Sequence, residues 1–252
     1  FEIDANGAFE YLGEGETVTQ SIHYTMQNAV GGRDNAFVDI TVTGSNDGIM
    51  GFAIAPSGAL TELAETTNGA SVDILAATGA ISFSDADLSD QHSFTITPQG
   101  SDYRGAMSAS VTSSAADGTR QGQWLFEVSD GDLDDLSEGE TLTQVYNIVV
   151  DDGHGSTASG TVTLTLTGTN DSVALISIDN ATGDLVEEID LSATENVVTH
   201  SAGGTLLFDD VDLNDTHFVS VVPSAVGYRG AVTTVLTDST GTGQGGVAWQ
   251  FD

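Results

Sequence analysis

The chain has 252 residues, with 38 acidic side chains against 4 arginines and no lysine, so its formal net charge is -34. This charge excludes nucleic acids and anionic membranes as partners bound through a basic surface. The lack of cysteine excludes disulfides and zinc–thiolate sites. No signal peptide, lipidation motif or membrane-spanning run is visible. We therefore expect no nucleic-acid partner and no membrane insertion.

The acidity itself has two explanations. One is a solvated acidic surface adapted to salt. The other is a set of carboxylates gathered around bound divalent cations, which would screen the self-repulsion that opposes a compact chain. The carboxylates recur at repeated positions along the sequence, and this favours bound cations.

Alternation of apolar and polar residues predicts strands along the whole chain. After a clear alternation at 37–42, eight short strands are predicted near 50–55, 59–65, 79–84, 92–97, 103–112, 122–128, 142–150 and 158–167. Acidic or glycine-rich turns separate them. This number of strands in about 120 residues is typical of an immunoglobulin-like sandwich. The sequence therefore predicts an all-β fold of tandem immunoglobulin- or cadherin-like β-sandwich repeats, with Trp124 and Phe126 in the core.

An internal repeat sets the domain organisation. Residues 83–92 (FSDADLSDQH) match 208–217 (FDDVDLNDTH), and residues 12–17 (LGEGET) match 136–141 (LSEGET), at a spacing of about 125 residues. This repeat predicts the C-terminal part of one repeat at 1–47, a complete repeat at 48–171, and the N-terminal part of the next at 172–252.

A short polar linker follows each of two alternating strands, at Thr43-Gly-Ser-Asn-Asp47 and Thr167-Gly-Thr-Asn-Asp171. We call Asn46-Asp47 the first seam and Asn170-Asp171 the second seam. Both bring carbonyl and carboxylate oxygens to a chain turn between consecutive predicted domains.

The order and spacing of four motifs resemble VCBS repeats, the tandem β-domains of large bacterial surface proteins and repeats-in-toxin (RTX) adhesins. The motifs are 83–90 (FSDADLSD), 136–142 (LSEGETL), 150–155 (VDDGHG) and 167–171 (TGTND). The same order is similar to the wider cadherin-like group, in which acidic turns and an Asn-Asp linker serve calcium. The resemblance implies a β-sandwich that acts as an extender or adhesion module of a long secreted or cell-surface protein, without catalysis.

Calcium takes about 6–8 oxygen ligands, so one linker is not enough and loops of both flanking domains must converge. The resemblance implies bound Ca²⁺ at each seam. The implied ligands at the first seam are Glu14, Glu16, Asn46, Asp47, Asp85, Asp87 and Asp152, with Asp151 nearby. Those at the second seam are Glu138, Glu140, Asn170, Asp171, Asp210 and Asp212, with Glu62 or Glu65 as a further candidate.

Two other interpretations of these carboxylates stay open. Asp-x-Asp turns also cap strands and solvate loops without any metal. In addition, Asp130-Gly-Asp-Leu-Asp134 resembles the start of an EF-hand loop, which would be a local calcium site. Against this, Asp135 stands where that loop has glycine and Thr141 where it has glutamate.

We expect no enzyme, because acidic pairs recur in every repeat and a single active cleft is not indicated. The expected partners are neighbouring repeats, or copies of the chain joined head to tail as a filament, since 172–252 and 1–47 are complementary parts of one repeat. A module that binds a surface glycan or a partner cell is the alternative function. Tyr103 and Tyr228 are the only repeated aromatic candidates for it. The expected location is extracellular, at the cell surface.

Overall fold

The structure is a computed structural model and describes residues 7–65, 72–195 and 197–252. These residues form fourteen strands and one single-turn 3₁₀ helix, which confirms the predicted all-β class. The strands are β1 (Thr17–Gln27), β2 (Arg33–Thr43), β3 (Met50–Ile54), β4 (Ser57–Thr61), β5 (Ile74–Ser84), β6 (Ser93–Pro98), β7 (Ala106–Ser114), β8 (Thr119–Ser129), β9 (Thr141–Asp151), β10 (Thr157–Thr167), β11 (Ala174–Asp179), β12 (Ala202–Asp209), β13 (Val232–Thr237) and β14 (Gln244–Phe251), and the 3₁₀ helix is Asp130–Asp132.

Strands β1 and β2 form an antiparallel hairpin. Ile22 stands opposite Val38, and Thr19 stands opposite Thr41. Directly opposed residues of an antiparallel pair lie on the same face. The register therefore separates an apolar face of the hairpin from a face rich in hydroxyl groups.

Strands β3 to β10 are the eight strands predicted for residues 48–171, and they form two four-stranded sheets in the orders β3-β5-β8-β7 and β4-β10-β9-β6. The rings of Phe126 on β8 and Tyr146 on β9 lie 6.2 Å apart between these sheets. Trp124 and Phe126 are fully buried, as predicted. A Cβ on Gly79 would collide with the Trp124 indole, whose Nε1 donates to the carbonyl oxygen of Ala55 at 3.0 Å. These contacts make a packed β-sandwich.

Strands β11 to β14 form a further four-stranded sheet, in the order β11-β12-β14-β13. This order repeats β3-β5-β8-β7 one repeat later. The first strand of each sheet also carries a register shift against its neighbour, between Met50 and Ala53 in β3 and between Leu175 and Ser177 in β11. The repeat in the sequence is therefore also a repeat in topology.

Tertiary contacts divide the chain into two compact units. The first unit holds the described residues up to Gly58, with Ala76–Glu127 and Thr143–Leu164. The second holds the described residues of Ala59–Leu75, with Val128–Leu142 and Thr165–Asp252. The residues of the first seam all lie in the first unit, and those of the second seam all lie in the second. Within the described part of the chain, no helix has the length and hydropathy needed to cross a membrane.

Candidate metal centres at the two seams

A glycine before each seam lets the linker pass close to an earlier turn of the chain. The N–H of Gly44 donates to the carbonyl oxygen of Glu16 at 2.8 Å, and the N–H of Gly168 donates to that of Glu140 at 2.9 Å. A Cβ on either glycine would collide with a backbone carbonyl oxygen of that turn. The Thr-Gly-x-Asn-Asp motif therefore needs glycine for a close backbone approach.

At the first seam, an acidic turn after β5 binds the linker. The N–H of Asp47 donates to Oδ2 of Asp87 at 2.7 Å, and the N–H of Asp87 donates to Oδ1 of Asp85 at 3.0 Å. Asn46 Nδ2 donates to Oδ2 of Asp152 at 3.3 Å. The structure thus brings together these five residues, all of them named from the sequence.

Asp85, Asp87 and Asp90 form the first acidic cluster, in which one carboxylate oxygen of each lies within 4.8 Å of the others. All three are buried. Oδ1 of Asp87 and Oδ1 of Asn46 are buried without a hydrogen-bond partner. Burial raises the pKa of Asp87, and the negative charges of Asp47, Asp90 and Asp85 raise it further against the hydrogen bond from Asp47.

The second seam repeats this geometry. The N–H of Asp171 donates to Oδ2 of Asp212 at 2.7 Å, and the N–H of Asp212 donates to Oδ1 of Asp210 at 3.1 Å. Asn170 Nδ2 donates to the carbonyl oxygen of Asp171 at 2.6 Å. Oδ1 of Asp171 accepts the N–H of Glu65 at 2.6 Å. Five residues named from the sequence, Glu65 among them, therefore meet here as well.

Glu62, Asp134 and Asp171 form the second acidic cluster, again with oxygens within 4.8 Å of one another. Asp130 lies close enough for its charge to raise the pKa of all three. Its Oδ1 accepts the N–H of Leu63 at 2.9 Å. The buried carboxylate oxygens without a hydrogen-bond partner at this seam are Oε1 of Glu62, Oδ2 of Asp130, Oδ1 of Asp134, Oδ2 of Asp171 and Oδ1 of Asp212.

The electrostatics of the second seam disfavour its ionised form. Burial raises the pKa of Glu62 to about 8, and the charges of Asp171, Asp134 and Asp130 raise it further against a hydrogen bond from Thr169. Burial likewise raises the pKa of Asp134 to about 6 and that of Asp212 to about 6. Without a cation, these carboxylates hold protons at pH values where exposed acids are ionised.

The donors at both seams fit a hard divalent cation. They are carboxylate and amide oxygens, several of them buried without any partner, and buried polar groups normally have one. Ca²⁺ binds such oxygens at about 2.3–2.6 Å, so two ligands on opposite sides of one ion lie about 5 Å apart. The spacing within each acidic cluster allows its members to reach one ion.

Two histidines position the acidic turns. His92 Nε2 lies 2.8 Å from Oδ2 of Asp85, and His217 Nε2 lies 2.7 Å from Oδ2 of Asp210. Burial lowers the pKa of His217, but its hydrogen bonds to Asp238 and Asp210 outweigh this and leave the pKa raised. One oxygen of the first aspartate in each Asp-x-Asp pair is therefore engaged by an imidazole.

The side chains of five residues named from the sequence belong neither to the two acidic clusters nor to the linker contacts described above. Glu14 and Glu138 are exposed. Glu16 accepts the N–H of Gly13 at 2.9 Å through Oε2. The remaining two side chains accept hydrogen bonds from neighbouring groups. Oε2 of Glu140 accepts one from Asn214 Nδ2 at 2.7 Å, and Oδ1 of Asp151 accepts one from the N–H of Gly153 at 2.7 Å.

The sequence interpretation left out carboxylates that the fold brings in. Asp130 and Asp134 were considered only for a local EF-hand-like loop, yet they lie beside Glu62 and Asp171. The sequence feature that could have identified them is the pair of aspartates at the start of a short helical turn and just after it. Asp90 was part of a matched motif and was not chosen as a ligand.

Arg120 was also missed. It is 3% exposed, and its Nη2 donates to the carbonyl oxygen of Asp87 at 3.4 Å. The position one repeat later is Gly245, so repetition gave no signal for it.

Tyr103 has a role within its own repeat. Its hydroxyl donates to the carbonyl oxygen of Val145 at 2.6 Å, and its ring meets Tyr146 edge-on at 4.9 Å. The matching Tyr228 is 58% exposed. The hydroxyl bond of Tyr103 pins the loop before β7 to strand β9.

No family model and no curated protein matches this chain. Among solved structures, cadherin-like domains 1 to 4 of zebrafish RET match at 11% identity and a TM-score of 0.35, over 98% of this chain and 52% of that one. Protocadherin gamma B2 extracellular cadherin domains 1–5 match at 10% identity and a TM-score of 0.29, over 92% and 45%.

A bacterial structure is also similar. AggA of Escherichia coli, the major subunit of aggregative adherence fimbriae type I, matches at 14% identity and a TM-score of 0.27, over 49% of this chain and 97% of that one. The chain spans about half the length of the RET and protocadherin structures. At these identities and scores, the function has to be argued from the residues of this chain.

Proposed function

We propose that this chain is a calcium-rigidified extender and adhesion repeat of a long secreted or cell-surface bacterial protein, of the VCBS type. The observation that carries the proposal is the set of buried carboxylate oxygens that lack a partner at both seams. A structural protein has no reason to bury such groups unless a cation completes them, because an unpaired buried carboxylate is costly.

Ca²⁺ is the proposed cation. At the second seam, Glu62, Asp134 and Asp171 would hold it, with Asp130 and Asp212 supplying further oxygens. At the first seam, the first acidic cluster would hold it, with Asn46, Asp47 and Asp152. The bound ion would offset charge repulsion and fix each linker against both chain segments that it joins.

The proposed domain organisation follows the repeat, with domains divided at the seams, at 47/48 and 171/172. Each seam then becomes a joint, and joints fixed by an ion keep a row of sandwiches extended. Neighbouring repeats are the proposed partners, and the proposed location is extracellular, where calcium is plentiful. The role is mechanical, with no catalytic step.

The test is calcium titration by calorimetry together with thermal melting in calcium, magnesium and chelator. Extracellular calcium modules bind at roughly 10⁻⁴–10⁻³ M. At ten times the dissociation constant, one site adds about 1.4 kcal/mol to the free energy of unfolding. We expect the melting temperature to rise with calcium and much less with magnesium, which demands a stricter geometry. Equal melting in chelator and in millimolar calcium would refute the proposal.

A further inference from the structure

Two hydrogen bonds cross the second seam without involving any of the proposed calcium ligands. The N–H of Asn214 donates to Oγ of Ser137 at 3.2 Å, and its side-chain Nδ2 donates to Oε2 of Glu140 at 2.7 Å. Ser137 and Glu140 precede the linker and Asn214 follows it, and all three lie in the second compact unit. We call these three residues the latch. The latch joins the two segments on either side of the linker directly.

Both sides of the latch are turns with hydrogen bonds of their own. In the turn 137–140, the N–H of Glu140 donates to the carbonyl oxygen of Ser137 at 2.8 Å. In the acidic turn after the linker, the N–H of Asp215 donates to the carbonyl oxygen of Asp212 at 3.1 Å. A contact between groups that are already ordered loses little of its free energy to conformational entropy.

The first seam also brings the matching turns close together but does not join them in this way. Gly13 and Glu16 correspond to Ser137 and Glu140, and Ser89 corresponds to Asn214. A Cβ on Gly13 would lie 2.7 Å from Oγ of Ser89. Oε2 of Glu16 instead accepts the N–H of Gly13 in its own turn. Within the described part of the chain, no hydrogen bond joins Ser89 to this turn.

The residue types explain the difference between the seams. Glycine has no side chain that could accept the N–H of residue 89, and a serine hydroxyl is shorter than the asparagine amide that reaches Glu140. A carboxylate acceptor also makes this bond charge-assisted, which is the stronger kind. Because Asn214 and the bond to Glu140 are exposed to water, we assign the latch the worth of about one net hydrogen bond, or about fivefold in an equilibrium.

We propose that the latch is an interaction surface between successive repeats, which holds the second joint in one orientation without calcium. Asn214 of the following repeat recognises the Ser-x-x-Glu turn of the preceding repeat. The first joint, where the matching residues make no such contact, is then the more mobile of the two in chelator. This inference rests on the proposed division of the domains at the seams, but it adds a contact that needs no metal.

The latch also gives Glu140 a role other than the one that the resemblance implies. Its carboxylate is engaged by Asn214, and it is not a member of the second acidic cluster. We therefore expect Asn214→Ala to leave the calcium affinity of the second seam unchanged.

The first test compares the two joints in the full chain. The lack of cysteine allows spin labels at chosen positions. Thr61→Cys with Gln250→Cys labels exposed strand positions on the two sides of the second seam, and Thr25→Cys with Gln123→Cys does the same at the first seam. Pulsed electron paramagnetic resonance gives the spread of each distance. We expect calcium to narrow the distribution at the first seam more than at the second.

The second test removes the latch in chelator. Asn214→Ala and Glu140→Ala should each raise the fraction of unlatched joints about fivefold and so widen the distribution at the second seam. The double variant should widen it no further, because both changes break the same bond. Ser89→Ala, at the position that matches Asn214, is the control and should leave the distribution at the first seam unchanged.

A third variant transfers the latch. Gly13→Ser combined with Ser89→Asn should narrow the distribution at the first seam in chelator, since Glu16 is already in place to accept the new amide.

Three results would overturn the proposal. One is a distribution at the second seam that neither Asn214→Ala nor Glu140→Ala changes in chelator. Another is a double variant that widens it by the sum of the two single effects, which would mean that the residues act separately. The third is an equal widening by Ser89→Ala at the first seam. If the chain failed to bind calcium while Asn214→Ala still widened the distribution, only the calcium proposal would be refuted.

Discussion

In the first seam, Asp87 accepts the linker N–H of Asp47, and in the second seam Asp212 accepts that of Asp171, both at 2.7 Å. The two seams are also alike in the Asp-x-Asp turn and in the histidine that contacts its first aspartate. The surroundings differ. At the second seam, buried oxygens of Glu62, Asp130 and Asp134 lie beside the linker, whereas the cluster at the first seam consists of Asp85, Asp87 and Asp90.

The comparison separates two roles of these residues. The hydrogen bonds that both seams share, here called the hydrogen-bond frame, are enough to hold each linker against the acidic turn. The number of carboxylates around that frame sets the charge, and ligand charge tunes calcium affinity. Position 10, which corresponds to Asp134 one repeat earlier, holds Glu10, and this side chain is exposed. We therefore expect tighter calcium binding at the second seam.

The largest expected effect is a pH dependence confined mainly to the second seam. Glu62 and Asp134 have pKa values of about 8 and about 6 when folded, above 4.5 and 3.8. The folded chain thus binds more protons than the unfolded chain, so without calcium its stability falls as pH rises through this range. Calcium displaces these protons. Between the pKa of about 6 of Asp134 and Asp212 and the pKa of Glu62, where one proton is displaced, its affinity should rise by up to about tenfold per pH unit, and below that range more steeply.

Calorimetry in buffers of different ionisation enthalpy measures this proton release directly. Calcium affinities of the tighter site at pH 6 and pH 8 give the change of its affinity per pH unit. The weaker site serves as the internal control. Equal slopes for the two sites would contradict the assignment of the raised pKa values to the second seam.

Removing one buried carboxylate should have the next largest effect. Asp134→Asn should weaken the tighter site by about tenfold, or 1.4 kcal/mol, because it removes one ligand charge. In chelator the same change should stabilise the chain, since it relieves repulsion with Glu65, Asp171 and Asp130. Glu138→Gln is the matched control: Glu138 was named as a ligand from the sequence but is exposed.

Thermal melting and calorimetry measure both variants. If Glu138→Gln weakened the site as much as Asp134→Asn, the exposed Glu138 would be a ligand, as the resemblance implies, and burial would not identify the ligands. If Asp134→Asn destabilised the chelated chain, repulsion would not be the dominant force in the cluster.

A smaller effect should follow from removing, at one seam at a time, the carboxylate that binds the linker. Asp87→Ala and Asp212→Ala remove the acceptor of the linker N–H at the first and second seams. Both should keep near-native circular dichroism, because neither side chain is one of the apolar residues that form the buried core. X-ray scattering in calcium should show a more flexible particle for each variant. Global unfolding of either in saturating calcium would show instead that the residue is essential to the fold.

The smallest effect should distinguish the two linker asparagines. Asn46 Nδ2 donates to the carboxylate of Asp152, whereas Asn170 Nδ2 donates to the adjoining backbone. Asn46→Ala should lower the free energy of unfolding by about 1 kcal/mol, and Asn170→Ala by less than about 0.5 kcal/mol. Chemical denaturation of both variants in chelator provides the measurement, and a larger loss for Asn170→Ala would reverse this comparison.

The sequence by itself determined the strands and the repeat, and it located the acidic turn and the linker at each candidate site. Period-two alternation is a local property, so β3 to β10 lie at or near their predicted positions. The Asp-x-Asp turn and the Asn-Asp linker could also be found, because each motif is short, contiguous and repeated. Asp87 and Asp212 meet their linkers as the repeated motifs suggested.

Only the tertiary structure decided which carboxylates lie together in a cluster. Glu62 lies more than a hundred residues before Asp171 in the chain, and the sheets bring their side chains together. The sequence favoured Glu14 and Glu138, because it records charge and spacing but not burial. Burial separates a solvated carboxylate from one that needs a cation, because an ionised group loses its water only inside the fold.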